Sequence, residues 1–317
     1  MSEWTVRDIP AQTGKLAVVT GANSGIGWNT ALELARSGAE VIVTARAQQK
    51  GDDAVRRISL LAPKAKVRYE HLDLASLASV RTFATKLRNE PKLDLLVNNA
   101  GVMRIPQREL TEDGFEKQFG TNFLGPFALT LLLLPALERS SAPRVVNVSS
   151  AAANMGMKKI NFDDLQWEKS YAPWKAYCQS KLANLLFMLE LGRRSAAENI
   201  SLLSNASHPG WARTNLQSSG PGRELNGFEN FVQNLFSQDA AHGALPTLRA
   251  ATATDTTTGD FFGPNGILQV RGTPVSVKLP KPAQDTGAAQ RLWKLSEQLT
   301  GVTWPATSGA RAAFLGA

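Results

Sequence analysis

The chain has 317 residues, of which 43% are apolar, 20% charged and 7% aromatic. That apolar share is ordinary for a globular protein and excludes a disordered or collagen-like chain. The richest apolar run, from Phe123 to Leu137, is shorter than the roughly 18–20 residues that a membrane span needs. The segment from Met1 to Gln12 is polar and shows no signal peptide. We therefore expect a cytoplasmic protein without a membrane span.

The net charge is +8, from 35 Lys and Arg residues against 27 Asp and Glu residues. A basic chain can attract nucleic acid, an anionic membrane or a phosphate-rich ligand. A nucleic-acid binder concentrates its basic residues in a stripe. The densest basic cluster here is modest and comprises Arg56, Arg57, Lys64, Lys66 and Arg68. The distribution therefore predicts an ordinary solvated surface and no nucleic-acid partner.

Short apolar runs alternate with longer helical patterns along most of the chain. The predicted strands are Leu16–Thr20, Glu40–Thr44, Lys66–Glu70, Leu93–Asn98, Arg144–Ser149 and Ile200–Ala206. Helices are predicted up to Ser37, from Gln48 to Leu61, and from a cap at Ser76 to Arg88. Such alternation is typical of βαβ units around a parallel sheet that is covered on both faces. The sequence predicts one α/β domain over residues 1–317, a Rossmann-like, doubly wound parallel sheet.

Two segments fit this pattern less well. Residues 215–240 are rich in Ser, Gly and Asn, with apolar residues at near-helical spacing. We interpret them as a substrate lid, with a surface loop as the alternative. Residues 284–317 form a C-terminal extension. It would either pack on the domain or make a contact in a homo-oligomer.

A glycine-rich segment, TGANSGIG at Thr20–Gly27, follows the first strand and opens the first helix. Small residues there let the backbone approach a pyrophosphate, whose charge meets free N–H groups and the positive end of the helix. The spacing is G-x-x-x-G-x-G, unlike the G-x-G-x-x-G of the commoner fingerprint. The segment predicts dinucleotide binding, and a simple tight turn is the alternative.

The end of the second strand bears on cofactor choice. A site selective for NAD usually places a carboxylate there to hold the adenosine ribose. This chain has Arg46 after Ala45, and no acid before Asp52. A guanidinium can stack on adenine and pair with a 2′-phosphate. The pattern favours NADP (NADPH) over NAD, unless Arg46 is merely a surface residue.

A second chemical signal is Tyr177-Cys178-Gln179-Ser180-Lys181. On a helix, positions i and i+4 share a face, so the phenol and the ammonium lie side by side. A free tyrosine has a pKa of about 10, and a neighbouring cation favours the phenolate. The pair therefore predicts a phenol whose pKa is lowered toward neutrality for proton transfer. Cys178 lies on another face of the helix and is interpreted as a buried, inert thiol.

Seven motifs in order resemble the short-chain dehydrogenase/reductase family. They are TGANSGIG, HLDL (71–74), NNAG (98–101), TNFLG (121–125), VNVSS (146–150), YCQSK (177–181) and HPG (208–210). The resemblance runs from about Gly14 to Gly266. Within the family, FDDLQWEKSY, YCQSKLANLLF and HPGWARTNL resemble the retinol dehydrogenase and protochlorophyllide reductase group.

The resemblance implies a catalytic set. Tyr177 would donate a proton to a carbonyl oxygen in reduction, or take one from an alcohol in oxidation. Lys181 would lower the pKa of that phenol and bind the nicotinamide ribose. Ser150, rather than Ser149, would hold the substrate oxygen. Asn122 would position a water that connects Lys181 with solvent.

The resemblance also implies contacts to the cofactor, in which Tyr177, Lys181 and Arg46 take part. The predicted pyrophosphate contacts are Gly21, Asn23, Ser24, Gly25, Ile26 and Gly27. The predicted contacts to adenosine are Asp73, Leu74, Asn99, Ala100 and Gly101. Those predicted for the nicotinamide carboxamide are Pro209, Gly210 and Thr214. Most of these residues follow the ends of predicted strands, where a parallel sheet binds its ligand.

The leading hypothesis is an NADP-dependent oxidoreductase that interconverts a carbonyl and an alcohol on a mostly apolar small molecule. Aromatic and methionine residues near the catalytic segments would line an apolar cleft, or would be plain core. These are Trp174, Trp211, Met155 and Met157. Two alternatives stay open: reduction of a C=C bond with the same cofactor, and a dinucleotide-binding regulator without turnover. No zinc-hydrolase, P-loop or nucleophile-elbow motif occurs, and no metal is expected.

Overall fold

The fold is that of a computed structural model, which describes residues 3–210 and 239–305. Trp211, Thr214 and residues 215–238 of the predicted lid lie outside the described residues. So do residues 306–317 of the predicted C-terminal extension. The interpretation of residues 215–240 as a lid stays a prediction.

Within the described residues, eight strands form one sheet in the order β3-β2-β1-β4-β5-β6-β7-β8. They are β1 (Leu16–Val19), β2 (Glu40–Ala45), β3 (Val67–His71), β4 (Leu95–Asn98), β5 (Arg144–Val148), β6 (Leu203–Ser207), β7 (Phe261–Pro264) and β8 (Pro274–Ser276). All neighbouring pairs are parallel except β7 and β8, which are antiparallel. The Rossmann-like fold predicted from the sequence is confirmed.

The last two strands were missed by the sequence analysis. Only nine residues, 265–273, connect β7 to β8, too few for the helical crossover that a parallel return requires. Therefore β8 returns antiparallel at the edge of the sheet. Both strands are short, and one of them contains Gly263 and Pro264. Neither therefore shows a clear alternation of apolar and polar residues.

Helices cover both faces of the sheet. They are α1 (Gly25–Arg36), α2 (Gln48–Leu61), α3 (Leu77–Leu87), α4 (Lys117–Glu138), α5 (Pro173–Ala197), α6 (Ala240–Thr252) and α7 (Thr286–Thr300). Alternate residues of β1 feed two separate cores: Leu16 and Val18 belong to one, and Ala17 and Val19 to the other. This alternation is the two-residue period of a strand buried on both faces.

The helix α4 is long and apolar enough to cross a membrane by length and composition, which the sequence analysis did not expect. However, 94% of its most apolar window is buried inside the protein. Phe123 and Phe127 lie fully in the core on one side of the sheet. A π-helical turn, Gly120–Leu124, interrupts α4 near its start. The described contacts therefore make α4 a central core helix.

The C-terminal helix α7 packs on α5. Trp293 of α7 is buried, with its ring centroid 5.1 Å from that of Phe127 and 5.7 Å from that of Phe187. Trp304 extends this aromatic cluster, at 5.7 Å from Trp293. Of the two alternatives for the extension, residues 284–305 pack on the domain.

Candidate functional site

The loop between β1 and α1 is shaped by glycine. Gly21 and Gly25 have φ angles of +63° and +60°, a region that residues with a side chain rarely enter. A Cβ on Gly21 would lie 2.8 Å from the Cβ of Ala100, and one on Gly27 would lie 2.8 Å from the Gly21 carbonyl oxygen. The loop can therefore be this tight only without side chains at these positions.

This loop leaves the N-terminus of α1 open to a ligand. Ser24 occupies the N-cap position, but its side chain makes no capping hydrogen bond. The first N–H groups of an α-helix have no partner within the helix and attract anions. The backbone at Gly25, Ile26 and Gly27 is thus compatible with a pyrophosphate, and Asn23 and Ser24 border the same turn. These contacts to the cofactor stay a prediction.

Thr20 ties this loop to the loop after β4. Its hydroxyl accepts hydrogen bonds from the N–H groups of Asn99, at 2.9 Å, and Ala100, at 3.0 Å. The Asn99 side-chain amide donates to the Thr20 carbonyl at 2.7 Å. Thr20 belongs to the glycine-rich motif, but this role could not be predicted from the sequence, because its partners lie about 80 residues away along the chain.

Arg46 and two of the predicted adenosine contacts, Asp73 and Leu74, lie at the ends of the neighbouring strands β2 and β3. Arg46 directly follows β2 and is exposed. Asp73 lies just after β3, where its carboxylate accepts a hydrogen bond from the Ala75 N–H at 2.9 Å. Leu74 is buried beside it. Asp73 therefore shapes its own turn, and Arg46 is free to face solvent or a ligand.

Tyr177 and Lys181 lie one turn apart on α5, and both are buried, with 5% and 3% of their surface exposed. The Lys181 Nζ donates a hydrogen bond to the Val148 carbonyl at 2.9 Å and lies 5.8 Å from the centroid of the Tyr177 ring. The side chain of Ser150 is near enough to the Tyr177 phenol to act on its pKa. The structure thus brings three of the predicted catalytic residues together.

The two neighbouring serines have different partners. The Ser149 hydroxyl donates to the Lys181 carbonyl oxygen at 2.8 Å, and this holds β5 against α5. The Ser150 oxygen accepts from the Ala152 N–H at 3.2 Å and caps a short helix over Ala151–Asn154. Because that oxygen is the acceptor, the hydroxyl proton of Ser150 stays available for the phenol.

Asn122 lies in the π-helical turn of α4, which is a common location for functional residues. Its amide donates to the Val102 carbonyl and to the Ser180 hydroxyl, both at 2.9 Å, and its oxygen accepts from the Val102 N–H at 2.7 Å. A Cβ on Gly101 would lie 3.1 Å from this oxygen and 3.5 Å from the Lys181 Nζ. Asn122 is therefore firmly held beside Lys181, and its role in positioning a water stays a prediction.

Burial dominates the electrostatics of the Tyr177–Lys181 pair. It raises the pKa of Tyr177 to about 12 and lowers the pKa of Lys181 to about 8, and only the side chain of Ser150 acts to lower the phenol pKa. The predicted direction, a phenol made more acidic by its ammonium neighbour, is wrong for the chain alone. The reason is that the Lys181 ammonium bonds to the Val148 carbonyl while both groups lose their hydration.

The loop after β6 carries Pro209 and Gly210. The Gly210 φ is +65°, and a Cβ there would lie 2.8 Å from the Pro264 side chain. Its N–H donates to Nδ1 of His208 at 3.3 Å, and Nε2 of His208 lies 2.9 Å from the Gln269 side-chain oxygen. Burial lowers the pKa of His208 to about 4, so this ring is neutral. Its two contacts hold the loop in place.

An apolar wall lies beside the phenol. The Trp174 ring stacks on the Tyr177 ring, with centroids 5.7 Å apart and planes 30° apart. Met103 and Met157 pack against the same cluster, which includes the buried Cys178. Burial raises the pKa of the Cys178 thiol to about 12, as suits an inert thiol. Met155, in contrast, is 70% exposed.

No cluster of three or more potential metal ligands occurs among residues 3–210 and 239–305. The described part of the chain therefore offers backbone N–H groups, hydroxyls and one buried ammonium at the carboxyl end of the sheet. This set can bind a pyrophosphate and can hold and move a proton at an oxygen atom beside an apolar wall.

Comparison with known sequences matches residues 15–162 to the short chain dehydrogenase family. Retinol dehydrogenase 13 from Mus musculus is 42% identical over 298 residues, which cover 91% of this chain and 84% of the relative. Retinol dehydrogenase 12 from Homo sapiens is 41% identical over 297 residues, which cover 92% and 88%.

Comparison with solved structures gives the same result. A crystal structure of a Mycobacterium paratuberculosis protein matches 96% of this chain and all of its own, with a TM-score of 0.79 and 43% identity. A structure described as a short chain dehydrogenase from Shigella flexneri, complexed with NADP, covers 80% of this chain and 97% of its own. Its TM-score is 0.62 and its identity is 25%.

Proposed function

Because this chain belongs to the short-chain dehydrogenase/reductase family, in its retinol dehydrogenase-like group, we propose that it is an NADP-dependent oxidoreductase. It interconverts the carbonyl and alcohol forms of a mostly apolar small molecule. The observation that carries this proposal is the buried phenol of Tyr177, beside Ser150 and one turn from the Lys181 ammonium, at the carboxyl end of the sheet.

When bound, a nicotinamide dinucleotide supplies or accepts the hydride. In reduction, negative charge develops on the substrate oxygen, and the hydroxyls of Ser150 and Tyr177 donate hydrogen bonds to it. Tyr177 then transfers its proton to this oxygen and becomes a phenolate. In oxidation the phenolate takes the proton back from the alcohol. The high pKa of Tyr177 keeps that proton on the phenol until negative charge has developed on the substrate oxygen.

Lys181 stabilises the phenolate that this transfer leaves behind. Its Nζ lies 5.8 Å from the Tyr177 ring, and a cation at this range favours a negative oxygen in a buried site. Asn122 and Ser180 hold the helix around Lys181 through the hydrogen bond between their side chains, at 2.9 Å. Lys181 is therefore the charge partner of Tyr177, although in the chain alone burial of the phenol outweighs this stabilisation and keeps the pKa of Tyr177 high.

The preference for NADP over NAD is supported by the end of β2. Ala45 and Arg46 stand there in place of the carboxylate that usually holds the adenosine ribose in an NAD site. An exposed guanidinium matches a 2′-phosphate in charge and in shape. A solved relative from Shigella flexneri contains NADP, and one from Escherichia coli CFT073 contains NADPH.

The substrate class follows from the wall beside the phenol and from the relatives. Trp174, Met103 and Met157 present apolar surface next to Tyr177. The relatives at about 40% identity are named retinol dehydrogenases. We therefore propose an elongated apolar aldehyde or primary alcohol of the retinal and retinol type as substrate. The cytoplasmic location stays a prediction.

The test is a reduction assay with NADPH and, in parallel, with NADH, on retinal, on short aldehydes and ketones, and on enones. The expected result is oxidation of NADPH with retinal and formation of the alcohol. A saturated product that keeps its carbonyl would instead establish the C=C reductase. Tight NADPH binding without turnover on any of these compounds would establish the regulator.

A further inference from the structure

Arg57 is a basic residue of α2 that the catalytic scheme does not use. Its Nη2 donates a hydrogen bond to the carbonyl oxygen of Asn23, in the glycine-rich loop, at 2.8 Å. Its guanidinium lies 4.8 Å from the centroid of the Trp28 ring. The Trp28 indole is itself fixed, because its N–H donates to the Ala54 carbonyl at 3.3 Å. Arg57 is therefore a cation held in place beside the predicted phosphate loop.

The charge of Arg57 is not cancelled locally. Asp53 forms ion pairs with two arginines, with its oxygens 2.5 Å from Nη2 of Arg56 and 2.9 Å from Nε of Arg57. Two cations thus share one carboxylate, and the group keeps a net positive charge. A guanidinium also carries five N–H donors, which the bond to Asn23 and the ion pair to Asp53 do not exhaust.

The position of Arg57 suits the adenosine end of a dinucleotide better than the pyrophosphate. The pyrophosphate would meet N–H groups at the start of α1, whereas Arg57 contacts a carbonyl of the same loop from α2. The loop residue next to Asn23, Ala22, donates from its N–H to the Thr44 carbonyl near the end of β2 at 3.1 Å. Through its bond to Asn23, Arg57 therefore lies against the part of the loop that adjoins the end of β2, where the adenosine ribose is expected.

We propose that Arg57 is a second binding residue for the 2′-phosphate of NADP, beside Arg46. This inference rests on the NADP preference proposed above. Arg46 is an exposed residue, whereas Arg57 is anchored by Asn23, Asp53 and Trp28, so Arg57 is the preorganised member of the pair. It therefore loses little side-chain freedom when it binds a phosphate.

Arg56 provides a matched control. It precedes Arg57 on the same helix, carries the same charge and pairs with the same Asp53 carboxylate. Its side chain is 68% exposed, against 39% for Arg57. Among its described contacts is no bond to the glycine-rich loop. Arg56→Gln and Arg57→Gln thus remove the same charge from the same region, but only Arg57→Gln also removes the contacts with the glycine-rich loop and with Trp28.

The experiment measures dissociation constants of 2′,5′-ADP and 5′-ADP by calorimetry for the wild type, Arg57→Gln and Arg56→Gln. We expect Arg57→Gln to weaken 2′,5′-ADP by about tenfold, the effect of one charge-assisted hydrogen bond. Binding of 5′-ADP should stay within about twofold of the wild type, since it lacks the 2′-phosphate. Arg56→Gln should change both constants by less than about twofold.

Equal weakening of both ligands by Arg57→Gln would overturn the proposal, because Arg57 would then only hold the loop. Equal effects of the two variants would also overturn it, because charge alone would explain them. A wild type that binds both ligands equally well would instead refute the NADP preference itself. Arg57→Lys, which keeps the charge, guards against a folding defect. It should lie between the wild type and Arg57→Gln in affinity for 2′,5′-ADP.

Discussion

The two halves of the carboxyl edge of the sheet are built in different ways. After β1, the protein uses backbone conformation and missing side chains, as at Gly21 and Gly25, whose φ angles are positive. After β4 and β5, and on α5, it uses buried polar side chains. Asn122, Tyr177 and Lys181 all lie in the interior. The Asn122 amide donates to the Ser180 hydroxyl, and the Lys181 ammonium donates to the Val148 carbonyl.

This contrast teaches where each kind of function is vulnerable. The half after β1 is expected to bind through backbone N–H groups, which every residue except proline possesses, so its function depends on free volume. The catalytic half depends on particular functional groups, and its buried polar atoms need partners. Asn98, for example, donates to the side chains of Thr130 and Asn147, at 3.1 and 3.0 Å, below the catalytic residues.

Tyr177→Phe is the strongest test of this contrast, because it should affect the catalytic half and leave the half after β1 unchanged. It removes the proton donor while the glycine-rich loop stays intact, so kcat for carbonyl reduction should fall by about 1,000-fold or more. The dissociation constant of NADPH should change by less than about threefold. Steady-state kinetics and a fluorescence titration measure the two effects.

Tyr171→Phe is the matched control for this change. Tyr171 is half-buried, and its pKa is likewise raised to about 12, but its hydroxyl bonds to the Ile105 carbonyl and the Gln118 amide. It should retain most of the activity. Activity retained in Tyr177→Phe would remove the phenol from the mechanism.

Lys181 should give the next largest effect, in the stability of the chain without ligand. Its pKa is about 8 in the folded chain, against 10.5 for an ordinary lysine. Between these values the unfolded chain binds more protons, so the free energy of unfolding rises with pH through this window. Across this window, the free energy of unfolding of the wild type should rise by about 3 kcal/mol more than that of Lys181→Met, at about 1.4 kcal/mol per pKa unit.

Urea unfolding of both proteins at pH 7.5 and pH 10 measures this difference. The other titrating groups are common to both chains and cancel in the comparison. A constant difference between the two chains over this range would show that Lys181 titrates normally. The catalytic half would then lack the strong burial described above.

Gly27→Ala probes the half after β1. The added Cβ would overlap the Asn99 side chain and approach the Gly21 carbonyl to 2.8 Å. Overpacking of this kind costs about 1–3 kcal/mol, so NADPH affinity should fall by about 30-fold. Gly287→Ala in the first turn of α7 is the control, since a Cβ there is 3.4 Å from Asp285. Unchanged NADPH affinity in Gly27→Ala would contradict the volume argument.

Arg46→Ala should give the smallest effect. It tests whether a side chain contributes to cofactor binding in the half that otherwise binds through backbone N–H groups. The ratio of kcat/KM with NADPH to that with NADH should fall by about tenfold. Arg36→Ala, at the opposite end of α1, removes the same charge and should leave the ratio unchanged. An unaltered ratio in Arg46→Ala would remove Arg46 from the cofactor preference.

Local sequence signals predicted the fold, and the structure brings Ser150, Tyr177 and Lys181 together as the sequence predicted. The glycine loop, the six parallel strands and the Tyr177–Lys181 spacing all depend on neighbours within a few residues. What sequence alone missed depends on distant contacts. The tie between Thr20 and Asn99, the return of β8 and the direction of the Tyr177 pKa arise from burial or from partners brought together by the fold.

The helix α7 has a consequence for how the protein is made. It covers the aromatic cluster around Phe127 and Phe187, yet it follows all the described strands of the sheet along the chain. Until Trp293 has been synthesised, this side of the nascent molecule presents aromatic rings to water, and such exposed surface promotes aggregation. A variant truncated before Thr286 should therefore aggregate instead of folding.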